Sequence, residues 1–344
     1  SQTNCAYWHG LFGGLYLPHL RRALWLHMLR AENLVDPVPE GIRLTRCDLD
    51  CDGNEEIVVE TPVMTVTAAP AQGGCLLEVI HRPACINVVD TLARRPEIYH
   101  AQGEDAAADH GGAAGDGEEG IPSIHDLGKS IRDDMRRKLV YDAVPRRAFQ
   151  EALLPAGADP AGLEDGTCPV LADLSAMRWR VTEVAAVEGK ARIGLEVSAP
   201  LPGGTLRVAK RFLVRADSAR VSAIYSLAWD GVTPLDAILA VRWNLNLLAG
   251  SAPDRYYQAI DPAVDLGPAE RILASRGSWR RTARAALVDE HERLRIVIDA
   301  SPVCDLHRHP VETVSQAENG FELTFQGSCV TCAWPLGMES WVEW

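Results

Sequence analysis

The sequence lacks any long apolar run, and it has few cysteines and a shortage of basic residues. No segment holds 18 consecutive apolar residues, which excludes a predicted transmembrane helix. The first residues show none of the basic, apolar and small-residue regions of a signal peptide. The nine cysteines among 344 residues are scattered and odd in number, which does not suit a disulfide scaffold. We therefore expect a soluble, cytoplasmic protein that does not associate with membranes.

The shortage of basic residues excludes one class of partner. The 34 lysines and arginines face 47 aspartates and glutamates, so the net charge is −13. A surface of that sign repels phosphate backbones, and we expect no nucleic-acid partner. The apolar fraction of 47% and the charged fraction of 24% are typical of a globular protein with a sizeable core, which excludes disorder throughout.

The pattern near the start of the chain predicts one helix. From Leu17 to Leu29 apolar residues recur at three- and four-residue spacing, and Pro18 stands where a first helical turn tolerates proline. We expect about four turns, ending near Asn33. The segment 36–39 (DPVP) is typical of a stiff, extended linker. The sequence therefore predicts a domain boundary after residue 36.

From residue 42 onward the apolar period changes to two, which predicts strands. Short runs rich in β-branched residues recur, separated by turn signals such as residues 52–53 (DG) and 319–320 (NG). Ten or more strands without interleaved helices favour a mainly β fold, a large antiparallel sandwich. Residues 131–154 are expected to form a short helix or a crossing loop. Residues 101–120 hold six glycines, six alanines and six acidic residues, which predicts a mobile surface insertion.

An aromatic and glycine-rich segment opens the chain. Tyr7, Trp8 and His9 combine flat apolar faces with hydrogen-bond donors, the combination that a sugar ring needs from a binding subsite. The glycines that follow permit close backbone approach. From the residues alone, a packed aromatic cluster and the wall of a ligand site both remain open.

The same segment resembles a known family. Residues 4–21 (NCAYWHGLFGGLYLPHLR) are similar to the last signature region of glycoside hydrolase family 57, which holds α-amylases and 4-α-glucanotransferases. Five further segments are similar to the C-terminal domain of that family: 48–56 (DLDCDGNEE), 73–78 (GGCLLE), 92–97 (LARRPE), 139–142 (LVYD) and 312–322 (ETVSQAENGFE). The resemblance therefore covers nearly the whole chain.

The resemblance implies an architecture and a role. Family members consist of an N-terminal (β/α) barrel, a helical middle segment and a large galactose-mutarotase-like β-sandwich. It implies that residues 1–36 end the helical segment and that residues 37–344 form the sandwich. The chain is then the C-terminal part of a longer enzyme acting on α-glucan or maltooligosaccharide, with the barrel missing.

The resemblance also implies which residues take part in the chemistry. Members are retaining enzymes, which need two carboxyl groups only about 5–5.5 Å apart. Both lie in the barrel, and the matching motifs are absent here, so no catalytic residue is expected in this chain. Trp8, with Tyr7 and His9, would form a wall of the substrate subsites.

A second pattern concerns a metal. Asp48, Asp50, Asp52 and Glu56 alternate around a glycine turn and could gather hard oxygen ligands about a structural calcium ion. An EF-hand would place a glutamate at loop position 12, where this chain has Val59. The alternative is an acidic hairpin turn in water. No organic cofactor is expected.

Other motifs are interpreted as structural. Cys329 and Cys332 have metal-binding spacing, but no second pair lies at zinc-finger distance, so ordinary thiols are expected. The pairs His125-Asp126 and His307-x-His309 are expected to be ordinary histidine positions. The alternative to a fragment of a glucan-active enzyme is a stand-alone carbohydrate-binding or mutarotase-like sandwich, with exposed tryptophans stacking on sugar or a histidine acting on one sugar ring.

Overall fold

The structure is a computed structural model that describes residues 14–36, 39–101, 133–260, 266–317 and 320–338. Tyr7, Trp8 and His9 lie outside the described residues, as do residues 102–120 of the acidic insertion and the pair at 125–126. Among the helices that are described, none is long and apolar enough to cross a membrane.

One long helix opens the described part of the chain. Helix α1 (Pro18–Val35) has its proline in the first turn and ends two residues beyond the predicted position. Leu29 on its buried side packs against Ile80 and Cys85. The helix is therefore held against strands that follow it in sequence.

The later described residues form sixteen strands and several short helices. The strands are β1 (Arg43–Cys47), β2 (Glu56–Glu60), β3 (Met64–Ala69), β4 (Cys75–His81), β5 (Ile86–Asn87), β6 (Ala148–Pro155), β7 (Ala172–Asp173), β8 (Arg180–Val187), β9 (Lys190–Leu201), β10 (Gly204–Arg215), β11 (Val221–Trp229), β12 (Leu235–Leu245), β13 (Arg255–Ala259), β14 (Gly277–Asp289), β15 (Leu294–Ala317) and β16 (Gly320–Met338). Among the short helices are the α-helices α2 (Asp133–Arg136) and α3 (Pro268–Arg271) and the 3₁₀ helices Pro160–Leu163 and Leu174–Ala176; residues 98–101 are also helical.

Two antiparallel sheets organise these strands. The large sheet has the order β1-β2-β3-β4-β6-β12-β16-β15-β14-β13, with β5 on β4 and β7 on β6. The small sheet has the order β11-β10-β9-β8. The prediction of a mainly β, antiparallel fold preceded by a helical segment is confirmed. The domain boundary near residue 36 stays a prediction.

The main hydrophobic core lies between the two sheets. In β10 buried and more exposed positions alternate, so Leu206, Val208 and Phe212 point inward. Trp179 is 2% exposed and packs in the same core. Burial of each such large side chain stabilises the fold by about 1.5–3 kcal/mol. The alternation of apolar and polar residues along a strand such as β10 thus shows which side chains face the core.

One inward position of β10 carries a charge. Lys210 is fully buried, and its Nζ lies 2.6 Å from Glu151 Oε1 on β6 of the large sheet. The Tyr225 hydroxyl of β11 donates to the same oxygen at 2.6 Å. Burial raises the pKa of Glu151 and lowers that of Lys210. This ion pair joins the two sheets inside the core.

The structure corrects the interpretation of residues 131–154. Within the described part of this stretch, residues 133–154, Asp133–Arg136 is the helical portion, and Ala148–Pro155 is a strand in the middle of the large sheet, between β4 and β12. Six of the eight residues of this strand are buried, so both of its faces are covered and the apolar alternation is lost. The sequence of this central strand therefore lacks the alternation by which a strand is usually predicted.

Candidate functional site

The aromatic and glycine-rich segment is fixed to the sandwich at Tyr16. Tyr16 is 2% exposed, and its hydroxyl donates a short hydrogen bond to Glu97 Oε1. Burial, followed by the bond to Glu97, raises the pKa of the Tyr16 phenol to about 12. The hydroxyl therefore remains protonated, and remains a donor to Glu97, at any ordinary pH.

The backbone beside Tyr16 is also held. Gln326 Nε2 of β16 donates to the Tyr16 carbonyl oxygen at 2.8 Å. Arg21 of α1 donates to the carbonyl oxygen of Leu15 at 2.7 Å and pairs with Asp90 at 3.5 Å. Both donors are buried, so these bonds are shielded from water. The end of the segment therefore has a defined place on the sandwich.

A buried carboxylate lies beside this attachment. Asp142 accepts from the backbone N–H and the side chain of Arg94 and from the side chain of Arg146, with distances between 2.7 and 3.2 Å. Although burial opposes ionisation, the two guanidinium groups hold the pKa of Asp142 well below its usual range. A carboxylate this firmly ionised cannot donate a proton near neutral pH, so it orders the loops around it.

Segments that are far apart in sequence meet here. Glu97 N–H donates to His100 Nδ1, and His100 Nε2 lies 2.8 Å from the Val314 carbonyl oxygen on β15. Three of the segments that carry the family resemblance therefore meet directly, through the Arg94–Asp142 and Tyr16–Glu97 bonds. A fourth, residues 312–322, is joined to them through His100, three positions after Glu97. We call Tyr16, Glu97, Arg94, Asp142 and Arg146 the anchor cluster.

The histidine motif lies on β15. Burial, together with the charges of Arg146 and Arg94, lowers the pKa of His309 well below its usual value. His307 Nδ1 lies 2.8 Å from Ser278 Oγ on the neighbouring strand. Neither histidine belongs to a group of three metal-ligand side chains among the described residues.

The acidic pattern lies on the turn between β1 and β2. Asp48, Asp50 and Glu56 each offer a carboxylate oxygen, and these oxygens lie within 4.8 Å of one another. Asp52, the fourth predicted ligand, is not in this group. Its Oδ1 accepts from the backbone N–H and the side chain of Asn54. The structure thus brings three of the four predicted residues together.

An open cleft lies between the edge strand β11 and the large sheet. Its volume is about 810 Å³, within the range of small-molecule sites. The lining is mostly apolar and includes four aromatic residues: Phe149, Tyr225, Trp243 and Trp334. Arg220 and Asp299, which lie 3.8 Å apart, add both signs of charge to the lining.

Comparison with known proteins now assigns the chain. A profile described as "Alpha-amylase/4-alpha-glucanotransferase, C-terminal" matches residues 48–344. The chain belongs to this family. A second profile, for the middle domain of alpha-amylase/4-alpha-glucanotransferase proteins, matches residues 1–35. The resemblance to glycoside hydrolase family 57 is therefore confirmed.

Alpha-amylase/4-alpha-glucanotransferase relatives match almost the whole chain. "Alpha-amylase 1" of Dictyoglomus thermophilum is 31% identical over 96% of this chain and 44% of its own length. A 4-alpha-glucanotransferase of Thermococcus kodakarensis is 29% identical over 98% of this chain and 45% of its own length. The chain therefore spans less than half the length of these relatives.

The shared fold is seen in a solved structure. The crystal structure of the 4-alpha-glucanotransferase from Thermococcus litoralis superposes on this chain with a TM-score of 0.71 and 23% identity. The match includes 99% of this chain and 44% of the glucanotransferase chain. A putative aldose 1-epimerase from Escherichia coli K12 matches 88% of this chain and 96% of that chain, with a TM-score of 0.48 and 8% identity.

Sequence reasoning singled out the segments of the anchor cluster but not its contacts. Tyr16 lies in the first quoted segment and Glu97 in another, yet nothing in their spacing links them across 81 positions. The buried pair of Lys210 and Glu151 was missed as well. A lysine at an inward position of the alternating β10 pattern was the available signal.

Proposed function

We propose that this chain is the non-catalytic C-terminal part of an α-glucan-active enzyme of glycoside hydrolase family 57. In this proposal it holds an aromatic wall of the substrate subsites and stabilises the enzyme. The observation that carries the proposal is the attachment of Tyr16 to Glu97 and Gln326, because it fixes the end of the segment that contains Tyr7, Trp8 and His9.

The attachment restricts where the aromatic wall can lie. Trp8 stands eight residues before Tyr16, and an extended chain of that length reaches at most about 29 Å. In this proposal a glucan chain stacks on the flat face of the Trp8 ring. A group that holds a sugar in place contributes to catalysis by orientation and not by bond breaking.

The catalytic carboxylates belong, in this proposal, to the missing N-terminal barrel. Retaining hydrolysis needs one carboxyl group as acid and another as nucleophile, about 5–5.5 Å apart. Asp142, a carboxylate near the attachment, is bound by two arginines and is unsuited to either role. The coverage of less than half of the curated relatives also supports a partner domain outside this chain.

The test uses the purified chain and maltoheptaose. We expect calorimetric titration to show binding and chromatography to show no hydrolysis or transfer. Trp8→Ala should weaken binding at least about tenfold, which corresponds to about 1.4 kcal/mol. Tyr256→Ala is the matched control, since this half-exposed aromatic residue lies on β13, outside the cleft, and it should leave the affinity unchanged. Cleavage or transfer by the contaminant-free chain would refute the proposal.

A second candidate function is favoured by the cleft. Its aromatic lining and its paired charges are features of sites that bind neutral sugars, so a carbohydrate-binding or mutarotase-like sandwich is the alternative. Interconversion of glucose anomers, followed by NMR and abolished by Trp334→Ala, would support it. Glucan binding that depends on Trp8 and not on Trp334 would favour the first proposal.

The proposed compartment is the cytoplasm. Eight of the nine cysteines fall within the described residues, and all eight are free thiols. Free thiols are typical of proteins kept in a reducing compartment, which supports this assignment.

A further inference from the structure

Three carboxylates crowd together on the turn between β1 and β2. One oxygen each from Asp48, Asp50 and Glu56 lies within 4.8 Å of the other two. Like charges at such distances repel, and the repulsion weakens the turn unless a cation lies among them. Carboxylate oxygens are the ligands that calcium prefers, and a flexible shell of six to eight oxygens suits a surface turn.

Glu56 supplies an independent observation. Unlike the two exposed aspartates, it is 0% exposed, and it begins β2, where it pairs in register with Cys47. Its Oε2 accepts from the Leu49 N–H at 3.0 Å, but its Oε1 is buried without any hydrogen-bond partner. An unpaired buried carboxylate oxygen is strongly unfavourable. A cation bound by the cluster would satisfy it.

We propose that this turn is a calcium site whose side-chain ligands are Asp48, Asp50 and Glu56. Three carboxylates favour calcium over magnesium, because proteins usually hold magnesium with one or two carboxylates and several waters. Waters and backbone oxygens of the turn complete the shell. Glu56 anchors the ion to the first residue of β2, so binding stiffens the β1–β2 hairpin.

Asp52 has a different role in this assignment. Its Oδ1 accepts from Asn54 on the turn, and Gln72 Nε2 donates to Asp50 at 2.7 Å and more weakly to Asp52 Oδ2 at 3.4 Å. Gln72 precedes Gly73, whose N–H donates to the Met177 carbonyl oxygen. Asp52 therefore shapes the turn, while the Gln72 contact ties the calcium site to the turn between β3 and β4.

The experiment titrates the chelator-treated chain with calcium chloride. We expect one site with a dissociation constant between about 10⁻⁶ and 10⁻³ M, and a rise in Tm on adding calcium. Asp50→Asn and Glu56→Gln should each weaken binding at least about tenfold and abolish the rise in Tm. Asp52→Asn, the matched control on the same turn, should bind within about threefold of the unchanged chain.

Three results would overturn the assignment. The first is an absence of binding and of any Tm change at about 10 mM calcium. The second is a loss of binding in Asp52→Asn that Glu56→Gln does not share. The third is equal binding of magnesium chloride under the same conditions. Because the readout is calcium binding and not glucan binding, it is independent of the proposed function.

Discussion

Asp142 accepts five hydrogen bonds from Arg94 and Arg146, all of them inside the fold. Its side chain is only 11% exposed, so solvent screens these bonds little. A carboxylate in such a position is stabilised in its ionised form and in turn stabilises the fold that holds it. The stability of the folded chain should therefore depend on the ionisation of Asp142.

The pKa of Asp142 is lower in the folded than in the unfolded chain. Its contribution to stability is then fully present above the unfolded pKa of about 4 and is lost as the pH falls through the folded pKa. Asp142→Asn should lower the free energy of unfolding at pH 7 by about 2–4 kcal/mol and flatten its decline below about pH 4. Urea denaturation at several pH values measures both.

The control for Asp142 is Asp217→Asn. Asp217 pairs with Arg215 at 2.8 Å on the surface, where such pairs contribute little. This variant should keep the acid dependence of the unchanged chain. An Asp142→Asn chain with an unaltered acid dependence would contradict the role assigned to the two arginines.

Single residues show which parts of the site were predictable. The proximity of the Asp48, Asp50 and Glu56 carboxylates could be predicted, because the three residues fall within nine positions around a glycine turn. The proposed difference between Asp52 and the other three residues depends on its contact with Asn54. The spacing of the residues does not reveal which side chains bind the ion and which shape the turn. The Tyr16–Glu97 bond joins residues 81 positions apart and carries no local signal.

At the scale of elements, one ion pair connects the two sheets. Lys210 of β10 pairs with Glu151 of β6, and its ammonium group also lies 4.4 Å from the centre of the Trp179 ring. Removing one member leaves the other charge buried without compensation, which is strongly destabilising. Each of the two charged residues, Lys210 on β10 and Glu151 on β6, therefore requires the other.

Lys210→Met should lower the free energy of unfolding by about 3–5 kcal/mol, because Glu151 would then be buried and unpaired. Adding Glu151→Leu should recover part of that loss. Arg211→Met, the control, removes an exposed cation from the next position of β10, where it pairs with Glu183 at the surface, and should cost at most about 1 kcal/mol. Chemical denaturation compares all four chains. A double variant no more stable than Lys210→Met would refute the argument.

Burial of both faces removes the apolar alternation that helps to predict a strand. β10 alternates and was found, whereas β6 lies in the middle of the large sheet and was taken for helix or loop. The long strand β15 shifts register against β16 between Val311 and Glu312. Tertiary burial, which a single sequence does not display, decides these cases.

At the scale of the whole molecule, the anchor cluster links the opening segment to the sandwich. The proposed function requires that this link positions Trp8. Tyr16→Phe removes the bond to Glu97 while keeping the ring in place, so maltoheptaose binding should weaken about two- to tenfold with little change in Tm. Isothermal titration and a thermal scan separate the two effects.

Tyr256→Phe provides the matched comparison. Its hydroxyl also donates to a glutamate, Glu290, but on the edge strand β13 and outside the anchor cluster. It should leave glucan affinity unchanged. Equal affinities for the Tyr16→Phe and unchanged chains would show that the link does not position the aromatic wall.

The overall architecture followed from the change of apolar period after residue 42, and the family followed from six quoted segments. The arrangement of those segments around Asp142 could not be predicted, since it depends on which strands pair across the large sheet. The cleft beside β11 was equally hidden, because no local pattern says that four strands will cover only part of a larger sheet.

The bond between Arg94 and Asp142 also closes a long excursion of the chain. The two residues are 48 positions apart and in contact, so the polypeptide leaves and returns at the same point on the sandwich. Loop-closure entropy grows only slowly with length. Evolution could therefore lengthen or shorten the intervening stretch, including residues 102–120, without displacing either neighbouring strand.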